Sequence, residues 1–188
     1  MAGPIIPLPS ADYLRECFEY DPDTGLLRWK MRPLHHFKSS AARSDSHRCK
    51  VWNAAWAGRP AGCRRHDAYV VVRLDGALYL AHRVGWTIFY GRDPGPLIDH
   101  VDGAPQNNRL TNLRVATHSQ NHFNERLSKN STSGLKGAYW DRAQKRWYAH
   151  IWTDGKPRHI GYFATAAEAH AAWCAEAQKK RGEFFNPG

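Results

Sequence analysis

Between Leu97 and Asn121 the chain sets a carboxylate and an imidazole side by side, Asp99-His100, on a short apolar run. It follows them with Asp102-Gly103 and the amide-rich stretch Asn107-Asn108-Arg109-Leu110-Thr111-Asn112, then opens a polar helix, Thr117-His118-Ser119-Gln120-Asn121. This order leaves little freedom. Leu97 to Val101 and Leu113 to Ala116 read as two short strands around a Gly/Asn loop, and Thr117 caps a helix reaching about Leu127. The residue types suit one chemistry. Asp99 and Asn121 offer hard oxygen donors of the kind Mg²⁺ prefers. His100 titrates near working pH and can take a proton from water. One divalent metal and one such base suffice to cut a phosphodiester. Asn112 taken alone is an ordinary turn residue; in this setting its amide can tie the loop to the strand and orient the His100 backbone.

The same stretch, with His82-Arg83-Val84-Gly85-Trp86 before it and Gln120-Asn121-His122-Phe123-Asn124 at its end, resembles the HNH nucleases, most closely the phage-type HNH homing endonucleases. The resemblance runs from about Ala81 to Asn124. It implies a ββα-metal fold in which His100 is the general base, Asp99 and Asn121 hold Mg²⁺ or Mn²⁺, and Asn112 is the central asparagine. The implied products are 3′-hydroxyl and 5′-phosphate ends. Many members carry His where this chain has Asn121, and the harder amide oxygen turns the preference away from zinc or nickel. His118 shares a helix face with Asn121 and could touch the scissile phosphate or stand in as a ligand; a plain surface histidine is the alternative. Neighbours on a strand point to opposite faces, so Asp99 and His100 can serve one site only at a twist or strand end.

The chain of 188 residues carries 27 Lys and Arg against 17 Asp and Glu, a formal charge of +10. That balance favours a polyanionic partner such as double-stranded DNA, since cations placed on phosphates release condensed counterions. From Arg28 to Arg65 ten basic residues face the single acid Asp45, with Trp29, Trp52 and Trp56 interleaved. This aperiodic stretch reads either as an arm along DNA or as a solvated loop. No apolar run approaches the roughly 20 residues of a membrane span, and residues 1–9 lack a signal-peptide pattern, so a cytoplasmic protein is expected. The four cysteines are scattered, and free thiols are the simple reading. His47, Cys49, Cys63 and His66 together could hold structural zinc.

The remaining elements follow from local signals. Residues 10–18 read as a short helix capped by Ser10, and residues 20–29 as a turn and strand. Asp75-Gly76 joins two strands, 69–74 and 77–80, and His82 to Tyr90 suits a helix. Ser128 to Gly134 is a polar linker, which divides the chain into a nuclease domain, 1–127 (motif core 81–127), and a C-terminal domain, 135–188. In the latter, strands are expected at 137–141, 146–153 and 157–163, with a hairpin at Asp154-Gly155. The capping box Thr165-Ala166-Ala167-Glu168 opens a helix running to about Lys180. The expected fold class is therefore α+β: a ββα-metal core preceded by a small β-rich segment, then a three-stranded antiparallel sheet packed on one helix.

That last arrangement, from about Ser133 to Asn186, resembles the plant ethylene-response-factor (Apetala-type) DNA-binding domain, copies of which occur in phage HNH nucleases. Trp147, Ala149 and Ile151 alternate with Tyr148, His150 and Trp152. The second set, with Arg142, Lys145, Arg146, Lys156 and Arg158 nearby, is expected to form a basic, aromatic face for a DNA groove. The arginines that read bases in the plant domain are replaced here, so base preference does not carry over. The functional expectation is a metal-dependent DNA endonuclease with site selection by the C-terminal domain, acting as monomer or homodimer. The rival is a non-catalytic DNA-binding regulator with a decayed nuclease fold.

Overall fold

The computed structural model describes residues 6–38, 44–124, 127, 131–153 and 155–188. It is an α+β chain that divides into two compact units, Met1–Val115 and Ala116–Gly188. Each buries its own apolar cluster.

The first unit begins with α1, Ala11–Cys17, capped by the Ser10 hydroxyl, which accepts from the Tyr13 N–H at 3.3 Å. A hairpin of β1, Phe18–Asp21, and β2, Leu26–Trp29, follows. The Asp21 carboxylate holds its turn by accepting from the N–H groups of Asp23 (2.9 Å) and Thr24 (3.3 Å). Then come α2, Asp45–Trp56, and a three-stranded antiparallel sheet of β3, Cys63–Arg64, β4, Val70–Leu74, and β5, Ala77–Leu80. Helix α3, Ala81–Tyr90, leaves β5 without a break and ends at Gly91. Leu14, Cys17, Phe18, Leu27, Val72, Leu74 and Val84 fill the core among these elements. The last pair, β6, Ile98–His100, and β7, Leu113–Val115, sets Asp99 opposite Arg114 and His100 opposite Leu113.

Helix α2 lies where the sequence shows no period, and the reason is physical: none of its residues is buried. It is attached through polar groups and through the half-buried Trp52. Asn53 accepts from the Arg32 N–H through Oδ1 and donates to the Arg32 carbonyl through Nδ2, both at 2.9 Å. Arg32 is itself buried, at 6% exposure. A buried charge survives only if paired, and its guanidinium donates to Asp75 and to the Tyr13 hydroxyl, each at 2.8 Å. It also lies 5.2 Å from the ring centres of Phe37 and Trp52. The stretch expected as an arm or solvated loop is thus in part a helix, docked by the Asn53 amide and by the Trp52 indole, which packs edge-on against Trp29 at 4.9 Å.

The second unit opens with α4, His118–Asn124. Strands β8, Ala138–Asp141, β9, Arg146–Thr153, and β10, Lys156–Phe163, form an antiparallel sheet in the order β10-β9-β8. Asp154, half of the expected hairpin signal, lies outside the described residues. Helix α5, Ala166–Arg181, starts at a reciprocal capping box between Thr165 and Glu168. The sheet packs on it through Ala138, Ala149 and Ile151 against Ala169, Trp173 and Ala177. Gly137 permits this closeness. Its φ is +72°, and a Cβ there would sit 2.0 Å from Trp173 Cγ, so no larger residue fits.

Helix α4 belongs to this unit by its contacts. Arg181 lies 4.5 Å from the centre of the Phe123 ring and 4.9 Å from that of Trp173. Asn186 Nδ2 donates to the Asn124 carbonyl (3.1 Å) and to its Oδ1 (3.0 Å). The division of the chain therefore precedes α4, whereas the polar stretch 128–134 follows it. Among the described residues no helix is long and apolar enough to cross a membrane.

Candidate active site

Asp99 and His100 end the short strand β6, and both are buried, each at 5% exposure. One cation, Arg114, and one side-chain amide, that of Asn108, hold them. Arg114, the cross-strand partner of Asp99, donates to Asp99 Oδ2 through Nε at 2.8 Å and through a terminal nitrogen at 2.6 Å. His100 Nε2 lies 3.1 Å from Asn108 Oδ1. Its ring also meets His82 edge-on, with centroids 4.9 Å apart and planes at 84°, and Tyr69 at 6.0 Å.

The electrostatics keep the imidazoles neutral. Burial lowers the His100 pKa; Asn108, Asp102 and Asp99 oppose it without reversing the direction. Burial, with His100 and Arg83 nearby, drives His82 down to about 3. Nδ1 of His82 has no hydrogen-bond partner among the described residues. A neutral His100 is the form that can accept a proton.

Asn112 organises the loop between the strands. Its Oδ1 accepts from the Asp102 N–H at 3.0 Å. Its Nδ2 donates to Asp102 Oδ1 at 2.9 Å and to the Asn107 carbonyl at 2.8 Å. The Asn112 carbonyl accepts from Val101 N–H at 2.9 Å, directly after His100. Burial alone would raise the Asp102 carboxyl, but the donors of Asn107, Ala104 and Asn112 outweigh it and hold the group below its ordinary value. One asparagine thereby ties both ends of the Gly/Asn loop.

The structure thus brings Asp99, His100 and Asn112 together in the first unit. His118 and Asn121 stand on α4 in the second, one turn apart on the same helix. Thr117 caps that helix, with its Oγ1 accepting from the Gln120 N–H at 3.2 Å. The sequence reading did not single out Asn108 and Arg114. Arg114 was in reach of it, since the two-strand register with the Gly/Asn loop places it opposite Asp99. Asn108 was not, because its bond depends on how the loop turns.

Fitness for a hard divalent ion rests on the donor set. Asp99 and Asn121 are oxygen donors suited to Mg²⁺ or Mn²⁺. The zinc reading fares worse. Cys49 Sγ donates to the Arg32 carbonyl at 3.5 Å and Cys63 is exposed on β3. Among the described residues the only three metal-ligating groups gathered within 4.8 Å of one another are Glu16, His35 and His36. That cluster is also wired against a metal. Arg32 Nε donates to His36 Nδ1 at 3.2 Å, so Nε2 carries the proton that meets Glu16 Oε2 at 2.6 Å. A metal-bound Nε2 would need Nδ1 to carry the proton instead, against the arginine.

In the second unit the outward sheet face carries Tyr139, Arg146, Tyr148, His150, Trp152, His159 and Tyr162. The register pairs Tyr139 with Tyr148, His150 with His159 and Tyr162 with Tyr148. Tyr139 stacks on His150 with centroids 4.6 Å apart, His159 and Tyr162 meet at a tilt of 52° and 4.8 Å, and Trp152 is 59% exposed. Arg142 and Lys145 lie in the turn before β9, where Lys145 has φ +50°. Two expected members of this face are placed elsewhere. Arg158 is paired with Ile151 and Lys156 with Thr153, which share the helix-facing side of β9. Arg158 makes a salt bridge to Glu176 of α5. Side chains opposite each other on adjacent strands share a face, so both point to the α5 side.

Residues 79–123 match the family model described as HNH endonuclease. Protein 3.8 of Escherichia phage T7 is 40% identical over 76 residues, covering 40% of this chain and 63% of that protein. An uncharacterized HNH endonuclease of Acanthamoeba polyphaga mimivirus is 32% identical over 108 residues, 56% of this chain and 55% of its own length. The chain thus spans under two thirds of either relative. A solved structure titled "DNA binding and cleavage by the HNH homing endonuclease I-HmuI" is 20% identical with a TM-score of 0.38, over 88% of this chain and 80% of that one; a likeness of that size supports no inference about function. The buried Asp99-His100 pair and the Asn112-tied loop both lie inside the segment, residues 79–123, that matches the HNH endonuclease model.

Proposed function

We propose that the protein is a metal-dependent DNA endonuclease whose C-terminal sheet selects the site, acting in the cytoplasm of a bacterial host. The observation that carries this reading is the buried His100, held neutral beside Asp99 in a loop fixed by Asn112, within the segment that matches the HNH model. His100 takes a proton from the attacking water. The water oxygen forms the new bond to phosphorus, and the bond to the 3′ oxygen breaks. The leaving oxygen takes a proton from solvent, which gives 3′-hydroxyl and 5′-phosphate ends. Asp99 and Asn121 would hold a Mg²⁺ or Mn²⁺ ion, which supplies Lewis-acid stabilisation of the phosphate charge. His118, one turn from Asn121 on the same helix, would contact the phosphate. The second unit, an Apetala-like sheet and helix, offers Arg142, Lys145, Arg146, Tyr148, His150 and Trp152 to double-stranded DNA; the placement of Lys156 and Arg158 removes them from this set.

The bond from Arg114 to Asp99 is the observation that favours the rival reading, a non-catalytic DNA-binding regulator. A supercoiled-plasmid nicking assay with Mg²⁺ or Mn²⁺, with His100→Ala as control, decides between them. Nicking by the wild-type protein and none by the variant supports the enzyme. No nicking with either ion, with DNA binding intact, supports the regulator.

A further inference from the structure

The contact of His100 with Asn108 defines which nitrogen of the imidazole is the base. An amide oxygen only accepts, so the 3.1 Å contact requires Nε2 to donate. The lone pair then resides on Nδ1. Asn108 is 3% exposed, and its own position is fixed from the N-terminal hairpin, far away in sequence. Its carbonyl accepts from the Tyr20 hydroxyl at 2.7 Å. The turn of that hairpin presses on the same peptide: Gly25, at φ +74°, comes so near that a Cβ would stand 2.3 Å from the Asn108 carbonyl carbon. Two residues on, Leu110 N–H donates to the Pro22 carbonyl at 2.9 Å.

We infer that Asn108 is a positioning residue for the nuclease reaction: it locks His100 in the Nε2–H tautomer and turns Nδ1 into the proton acceptor, while Tyr20 and Gly25 hold Asn108 for that task. The inference rests on the nuclease reading for its effect on rate, but the tautomer itself is independent of it. The logic is that of any histidine whose second nitrogen is pinned by a fixed acceptor, where the partner sets ring orientation and basicity. Asn108 touches neither substrate nor reacting atoms.

Long-range ¹H–¹⁵N correlation spectra of the ¹⁵N-histidine-labelled full chain test it directly, with His100 assigned by its loss in His100→Ala. The expected wild-type pattern at neutral pH is a single Nε2–H tautomer for His100. A Nδ1–H tautomer, or an equal mixture, overturns the inference whether or not the protein nicks DNA. Asn108→Leu, close in volume but without an acceptor, is expected to give mixed tautomers and to lower kcat for nicking about 10- to 100-fold with KM for DNA unchanged. Asn108→Asp, which keeps the acceptor, restores the Nε2–H pattern. Tyr20→Phe weakens the same lock without touching His100 or Asn108 side chains, and its kcat is expected between wild type and Asn108→Leu. Full kcat in a folded Asn108→Leu protein refutes the positioning role. If His100→Ala nicks as well as wild type while the tautomer is as expected, the nuclease assignment of His100 fails and the local geometry stands.

Discussion

His82 makes the folded first unit vulnerable to acid, and the size of the effect follows from its burial. The side chain is 3% exposed, and its pKa falls from the ordinary 6.5 to about 3, because burial, His100 and Arg83 all oppose its charge. In the unfolded chain the same group titrates normally. Above pH 6.5 both states are neutral at this position and stability is unaffected. As pH falls from 6.5 toward 3 the unfolded state gains a proton that the folded state refuses, so stability is lost across that window. One pKa unit corresponds to about 1.4 kcal/mol, so by pH 5 the loss from this residue is about 2 kcal/mol. His100, shifted in the same direction, adds to it. The replacement His82→Phe keeps an aromatic ring against His100 and Tyr69 and removes both the titration and the unpartnered Nδ1. Urea denaturation followed by tryptophan fluorescence at pH 8 and pH 5 measures the difference. The wild type should lose about 2 kcal/mol more than the variant between the two values. Equal losses would mean that His82 is solvated or protonated in the folded protein, and the account of a buried neutral imidazole would be wrong.

Four further outcomes are expected. Asn112→Ala removes three hydrogen bonds in the loop between β6 and β7; thermal denaturation should show a loss of about 1–3 kcal/mol, with nicking reduced to background. Gly137→Ala places a methyl group on the Trp173 indole at positive φ; the unfolding midpoint of the C-terminal unit should fall by an amount equivalent to about 2 kcal/mol or more, and an unchanged midpoint would contradict the packing. Trp152→Ala, at an exposed position, should leave stability within about 0.5 kcal/mol yet weaken binding to duplex DNA in gel-shift titrations; Arg146→Ala should lower the salt slope of binding by about 1 if it meets a phosphate. Removal of divalent ions with EDTA should stop nicking, and added Mg²⁺ should restore it.

The parts legible from sequence are those whose signals are local. Asp75-Gly76 marks the β4–β5 hairpin because Asp75 and Gly76 both take positive φ there. Thr165 and Glu168 announce α5 because the box is complete within four residues. The alternation from Trp147 to Trp152 separates the buried Ala149 and Ile151 from the exposed Trp152 because a strand has a period of two. Helix α2 escaped because it presents no apolar stripe; one amide, Asn53, and one ring, Trp52, dock it on Arg32 and the core. The siting of Arg158 escaped for another reason. Charge near an aromatic face suggested DNA, but strand parity assigns it to Glu176. In the β6–β7 segment, Asp99, His100 and Asn112 stand out in the sequence by residue type and order, while Asn108 is only one amide among several. Its meaning depends on a loop conformation that Tyr20 and Gly25 impose from outside the motif.

That hairpin sets a limit on how small a working cassette can be cut from this chain. The family-matched stretch begins at residue 79, yet the hydroxyl of Tyr20 and the carbonyl of Pro22 grip the segment between its two strands at Asn108 and Leu110. A fragment trimmed to the recognisable signature would keep every residue by which it is recognised and lose the clamp that sets the angle of its imidazole. Transplanting the motif to another scaffold would require bringing, or rebuilding, a turn that lies 88 positions upstream of the loop it grips.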